Sequence, residues 1–163
     1  MIREIDTHPN SARWTTINAI IITAAAIWST WGSLNPFQGD TANSRMATVY
    51  ALIQYGSWEI ANPDEPNPFQ SGTIDKVTVG TKMYSSKPPI MPIIMTAETK
   101  ILTQITSLNL DEPADQTTIL KIITITLITF PFIMSGIVLL DILRRLNIRP
   151  PTQTLALTAF LFG

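Results

Sequence analysis

Apolar residues in this chain gather into two long runs, separated by roughly 80 residues of mixed and polar character. No charged residue occurs from Trp14 to Gly39, and none between Ile122 and Leu140. The stretches Ile17 to Leu34 and Ile119 to Leu143 are each long enough to cross a bilayer core of about 30 Å. The pattern therefore predicts a transmembrane helix at 14–34 and a second at 118–143. A short polar tail (1–13) precedes the first, and a loop domain (35–117) lies between them. The first run also invites a signal-peptide reading. Against it, Arg3 and Arg13 are balanced by Glu4 and Asp6, and Trp28 and Trp31 stand where a small-residue cleavage site is needed. Tryptophans at that position suit a membrane–water interface, so an uncleaved anchor is expected.

Pro131 and Gly136 fall inside the second run. Proline removes one intrahelical hydrogen bond, which predicts a kink, with Thr126, Thr129 or a neighbouring helix satisfying the freed carbonyl. Lys121 is placed to snorkel at one end, and Asp141 to pair with Arg144 or Arg145 at the other. Arginines at 3 and 13, and at 144, 145 and 149, put both flanks in the cytoplasm by the positive-inside rule. The loop between is then extracytoplasmic. After a cytoplasmic loop (144–151), residues 152–163 read as the start of a third transmembrane helix cut short. The chain is thus expected to be an N-terminal fragment of a multi-pass protein.

Within the loop, Met46, Val49, Tyr50 and Ile53 recur at helical spacing, predicting a helix over 42–55 with Thr41 or Asn43 as cap and Gly56 as stop. Residues 61–72 are a proline-rich connector without regular structure. Ile74 to Val79 and Lys82 to Ser85, split by Gly80-Thr81, predict a hairpin. Over 90–108 an amphipathic helix is expected, with Ile90, Ile93, Ile94, Ile101, Leu102, Ile105 and Leu108 on one face and Glu98 and Lys100 interrupting. Such a helix suits the membrane surface, so membrane lipid is an expected partner.

Composition narrows the chemistry. Of 163 residues only 14% are charged, and the net charge is −1, which gives no electrostatic case for nucleic acid. The absence of cysteine excludes disulfides and thiolate sites, and the one histidine, His8, lies in the polar tail. No glycine-rich phosphate loop, nucleophile elbow or clustered metal ligands occur, so no cofactor or metal is expected.

The candidate site residues lie in the loop. Pro88-Pro89 drives Lys87 toward extended backbone and stiffens the chain on its far side. Either this is a rigid turn feeding the next helix, or it presents a fixed cation to a phosphate, such as that of a lipid carrier. Asp40 and Arg45 flank the start of the first loop helix. They read as an N-terminal capping acid with a solvated or ion-paired arginine, or as a general base with a bidentate phosphate ligand. Asp64 and Glu65 are expected to be solvated, Asp75-Lys76 to form a cross-strand or local ion pair, and Trp58 to pack the loop domain together.

Four segments then appear in order: Ser44-Arg45-Met46-Ala47-Thr48-Val49-Tyr50-Ala51-Leu52, Tyr55-Gly56-Ser57-Trp58-Glu59-Ile60, Thr73-Ile74-Asp75-Lys76-Val77 and Tyr84-Ser85-Ser86-Lys87-Pro88-Pro89. Together they resemble the first outer loop of bacterial integral-membrane glycosyltransferases of the GT-C superfamily, which includes the protein O-mannosyltransferase and aminoarabinose transferase families. The resemblance covers about residues 15–145. It implies a polytopic α-helical membrane protein of the bacterial inner membrane with a small mixed α/β extracytoplasmic loop domain. The implied activity is transfer of a sugar from a polyprenyl-phosphate-linked donor to an extracytoplasmic acceptor. Arg45 and Lys87 match the family directly, and Tyr84 and Asp75 join them as substrate-binding candidates. The family's presumptive base is an acid three residues before the arginine, where this chain has Ala42. Asp40, two residues earlier, is the catalytic candidate in its place. A non-catalytic membrane protein whose loop binds an envelope partner is the alternative.

Overall fold

The computed structural model describes residues 9–34 and 39–163, and in the first helix the side chains from Ala12 onward. The expectations placed on Arg3, Glu4, Asp6 and His8 fall outside the described residues. The protein divides into two units, Met1–Leu34 with Thr124–Gly163, and Asn35–Ile123.

The first unit is helical throughout most of its described residues. It holds α1 (Pro9–Leu34), a π-helical stretch (Ile125–Thr129), α5 (Phe130–Arg145) and α6 (Pro150–Phe162). Two helical runs, Ala12–Leu34 and Pro113–Arg145, are long and apolar enough to cross a membrane. Only 17% of either apolar window is buried within the protein, whereas the core helix of a water-soluble fold is mostly covered. Ile27, Trp28 and Trp31 stand largely exposed. Where the unit does pack, Ala25, Leu140, Leu157 and Leu161 form the core, flanked by Ile21, Ile22, Phe132 and Ile133. A methyl group at Gly136 would meet Leu161 Cδ2 at 2.9 Å, so the missing side chain lets α5 approach α6.

Polar contacts also cross this apolar packing. Thr154 Oγ1 donates to Asn18 Oδ1 at 2.8 Å, and Ser33 Oγ meets Thr129 Oγ1 at 2.6 Å. Ser33 already donates to the Ser29 carbonyl, so Thr129 must be the donor to Ser33. Of the partners expected for the carbonyl freed by Pro131, the Thr129 hydroxyl is therefore committed elsewhere, to Ser33. The helix accommodates the proline by widening, with Phe130 N–H bonding to the Ile125 carbonyl five residues back. Near the end of α5, Asp141 pairs with Arg145 at 2.7 Å on an exposed surface.

The second unit contains α2 (Asp40–Gln54), strands β1 (Lys76–Val79) and β2 (Lys82–Ser85), α3 (Ile90–Ile105) and α4 (Pro113–Thr124). α2 starts two residues before the expected position, on an extended Gly39 with no side-chain cap. Thr41 and Asn43 therefore lie inside the helix, and Asn43 Nδ2 donates across to the Gly72 carbonyl. Gly56, at φ +64°, supplies the left-handed stop. Burial on α2 takes in Ser44, Met46, Ala47, Thr48, Val49, Tyr50 and Ala51, far more of its circumference than one stripe. It packs on α3, whose buried residues are Pro92, Met95 and Thr99.

The strands pair antiparallel, with Val79 opposite Lys82 and Lys76 opposite Ser85. Gly80 takes φ +64° in the two-residue loop, the backbone twist that such a hairpin asks of a glycine. The strand begins at Lys76, two residues after the expected start, because 73–75 are bound to α2 instead. The 61–72 connector carries more order than its composition implies. Asn62 bridges Glu65, Gln70–Gly72 form a 3-10 turn, and buried Asn67 donates to the Ala47 carbonyl at 2.8 Å. Asp64 is exposed as expected, but Glu65 is half-buried and its Oε2 has no hydrogen-bond partner. α3 ends at Ile105, short of Leu108, with Ile90, Ile93, Ile94, Ile101 and Ile105 exposed. Tyr50 Oη donates to Asp111 Oδ1 at 2.6 Å. Burial, then that bond to an anion, pushes the phenol well above its ordinary pKa.

Candidate functional site

Three pieces of the second unit converge: the first turns of α2, the segment 73–75, and the end of β2 with the Lys87-Pro88-Pro89 turn. The hairpin register brings the last two together. Val79 opposite Lys82 and Lys76 opposite Ser85 leave Asp75 facing the residues after β2, and Ser86 N–H bonds to the Asp75 carbonyl at 3.1 Å. α2 then clamps the same segment. Thr73 Oγ1 donates to the Asp40 carbonyl at 2.7 Å, Ile74 N–H donates to Asp40 Oδ1 at 3.2 Å, and Thr41 Oγ1 donates to Asp75 Oδ2 at 3.0 Å.

Beneath these lies a directional relay. Lys87 N–H donates to Ser85 Oγ, Ser85 Oγ and Ser44 Oγ are 2.6 Å apart, and Ser44 Oγ donates to the Asp75 carbonyl at 2.7 Å. Ser44 has one hydroxyl proton and has given it to Asp75, so Ser85 donates to Ser44. Ser44 is wholly buried.

The Lys87 ammonium ends 2.8 Å from Asp75 Oδ2, and both side chains are about three-quarters covered. Asp75 thus forms an ion pair across the hairpin, with Lys87 as its partner in place of Lys76. Adjacent residues on a strand point to opposite faces, while the hairpin carries Lys87 back to Asp75. Hydrogen bonding to Lys87 holds the Asp75 carboxyl below its ordinary pKa, partial burial opposes that, and the Thr41 hydroxyl assists. Asp75 is therefore a carboxylate at neutral pH. One ammonium N–H serves it, leaving two for a ligand.

Beside the pair is a half-open cavity of about 160 Å³, lined by Thr48, Trp58, Tyr84, Ser85, Lys87, Pro89 and Pro92. Trp58 lines this hollow and is 41% exposed, so it packs the loop domain only in part. The structure thus brings Lys87, Asp75 and Tyr84 together. Asp40 braces the 73–74 segment through Oδ1 and leaves Oδ2 without a partner among the described residues. Arg45 stands apart from these bonds. Its Nε is buried without a hydrogen-bond partner, on the α2 face that also carries Thr41 and Thr48 by helical spacing.

Sequence reading passed over Thr41, Ser44 and Ser85 as parts of the site. A signal was present: Thr41, Ser44 and Thr48 recur at one-turn spacing on α2, and a two-residue loop at Gly80-Thr81 fixes the pairing of Ser85. Among the described residues no cluster of metal-ligating side chains occurs. No family model matches the chain, and no curated protein or solved structure shows significant similarity to it.

Proposed function

We propose that this chain forms part of a membrane glycosyltransferase that takes its sugar from a polyprenyl-phosphate carrier. The observation that carries the reading is Lys87. Its backbone is fixed by Ser85 and two prolines, and its ammonium is oriented by Asp75 at 2.8 Å beside an open cavity. A carrier phosphate would share that ammonium, and Arg45, whose buried Nε has no hydrogen-bond partner, is offered as a second cation by the family resemblance alone. In the reaction the bond from sugar carbon to phosphate oxygen breaks and its electron pair stays on the phosphate, where Lys87 offsets the charge. The acceptor oxygen bonds the same carbon and passes its proton to Asp40 through Oδ2.

In this reading the two apolar runs sit in the bacterial inner membrane with both flanks cytoplasmic, and residues 35–117 lie outside. A single cysteine at Ser71 should then react with an impermeant reagent in intact cells, and one at Leu146 only after permeabilisation. The reverse pattern overturns the orientation.

The activity is tested with the full-length protein in proteoliposomes and radiolabelled polyprenyl-phosphate sugars. Lys87→Ala should weaken donor binding about ten- to hundredfold, the scale of one charge-assisted hydrogen bond, and Lys87→Arg should recover part of it. Asp40→Asn should slow transfer by at least about a hundredfold with donor binding kept. Unchanged donor affinity in Lys87→Ala leaves only the rigid-turn role for that lysine. Ala42, at the position of the family's acid, favours a second reading, a non-catalytic relative whose loop binds an envelope partner. Absence of transfer from every donor supports it.

A further inference from the structure

We infer that the cavity beside Lys87 is a subsite for a single uncharged pyranose ring, with Trp58 as its aromatic wall and Tyr84 as a hydrogen-bonding group. The inference rests on the donor reading above for why a sugar arrives there, and on the cavity itself for the ligand's chemistry.

Size comes first. Sites for drug-sized ligands run to about 300–1,000 Å³, and this hollow of about 160 Å³ takes one six-membered ring. Its walls are divided in kind. Trp58, Pro89 and Pro92 are apolar, whereas Tyr84, Ser85, Thr48 and Lys87 bring polar atoms. A pyranose is divided the same way. Its axial C–H bonds make an apolar face whose positive ends suit the negative face of an indole, and its hydroxyls form a polar rim.

The hydrogen-bond inventory then separates committed groups from available ones. Thr48 Oγ1 is bound to the Ser44 carbonyl, and Ser85 Oγ is held within the serine relay. They are wall. Tyr84 and Trp58 both line the cavity, and among the described residues Tyr84 Oη and Trp58 Nε1 make no hydrogen bond, so a phenol and an indole N–H are uncommitted. The paired strands hold Tyr84, which also bridges Glu59 beside Trp58.

Charge decides the ligand's class. A uronic acid would need a cation of its own, but in the donor reading the carrier phosphate and Asp75 share the Lys87 ammonium, and the cavity lining holds no second cation. The cavity therefore favours a neutral sugar with free hydroxyls.

Saturation-transfer NMR on the full-length protein in lipid nanodiscs tests this, with methyl pyranosides of gluco, manno and galacto configuration and methyl glucuronide as the charged control. Alkyl-glycoside detergents must be absent, because their headgroups are themselves pyranoses. A neutral pyranoside should bind in the millimolar range and the glucuronide more weakly. Trp58→Ala should weaken binding about tenfold or more, and Tyr84→Phe, which keeps the ring, several-fold. Tyr84→Phe remains informative even where Trp58→Ala disturbs folding. Full binding retained in both variants, or binding by none of the neutral pyranosides, overturns the inference. Sugar-free polyprenyl phosphate, titrated against wild type and Lys87→Ala, separates it from the donor reading. Pyranoside bound at Trp58 without carrier binding sinks the donor reading and keeps the subsite, and the converse pattern does the opposite.

Discussion

The two units solve the problem of buried polar groups in opposite ways. The described helices of the first unit satisfy their backbones internally, and few side chains link one helix to another: Asn18 with Thr154 and Ser33 with Thr129. In the second unit, side chains repeatedly reach backbone groups far along the chain. Asn67 bonds to Ala47, Asn43 to Gly72, Thr73 to Asp40 and Ser44 to Asp75. A helix in lipid must be self-sufficient, because nothing nearby replaces water. An irregular segment has no ladder of its own and must borrow donors and acceptors. The candidate site lies in the unit that borrows, where polar side chains are already positioned by the groups they hold.

This contrast predicts where truncation hurts most. Ile60 is wholly buried in the second unit, and its N–H pairs with the Met83 carbonyl. Ile60→Ala should destabilise that unit by about 2–5 kcal/mol through lost burial and the cavity left behind. Hydrogen exchange along α2 during urea titration is the measure. A cost no larger than that of Ile27→Ala, at a largely exposed position on α1, would erase the distinction between the units.

Polar truncation should separate them next. Ser44→Ala removes the donor to Asp75 and leaves Ser85 without its acceptor, at a position closed to water, so a loss of about 1–3 kcal/mol is expected. Ser33→Ala removes an analogous hydroxyl pair between helices of the first unit and, if these helices lie in lipid as proposed, should cost about 0.6 kcal/mol, since the alternative partners there are nearly as good. The ratio of the two is the diagnostic quantity. Equal costs, read from thermal unfolding of nanodisc-embedded variants, would mean that both units rely on side-chain polarity alike.

The same contrast explains how much was legible in the sequence. Apolar run length disclosed the helices at 14–34 and 118–143, because a self-sufficient helix is specified by its own residues. Gly80-Thr81 disclosed the hairpin for the same local reason. An ion pair at Asp75 was legible, but its partner was not, because Lys87 lies twelve residues away through a strand register and the adjacent Lys76 offered a simpler one. The order in 61–72 was missed because Asn67 draws its partner from α2, which no local pattern reveals. Trp58 was read on residue type alone as packing the loop domain together, and residue type carries no information about how much of the side chain a cavity leaves open.

The smallest effect is the dependence on pH, and it too should fall on one unit. Lys87 lowers the Asp75 pKa from the ordinary value of 3.8, so the folded state binds that proton less readily than the unfolded chain does. The pair's contribution is then fully present above about 3.8. It fades as the pH falls through the lower folded value. Because both groups touch solvent, screening keeps the effect small. α1 has no titratable side chain between Trp14 and Leu34, and its amide protection should stay flat across the same window. Following the Asp75 carboxyl carbon by NMR gives the direct check. In Lys87→Gln the titration should move upward toward the ordinary carboxylate value, held back only by the Thr41 hydroxyl. An unmoved titration would mean that the ammonium is not what keeps Asp75 ionised, and the fixed cation of the site would lose its partner.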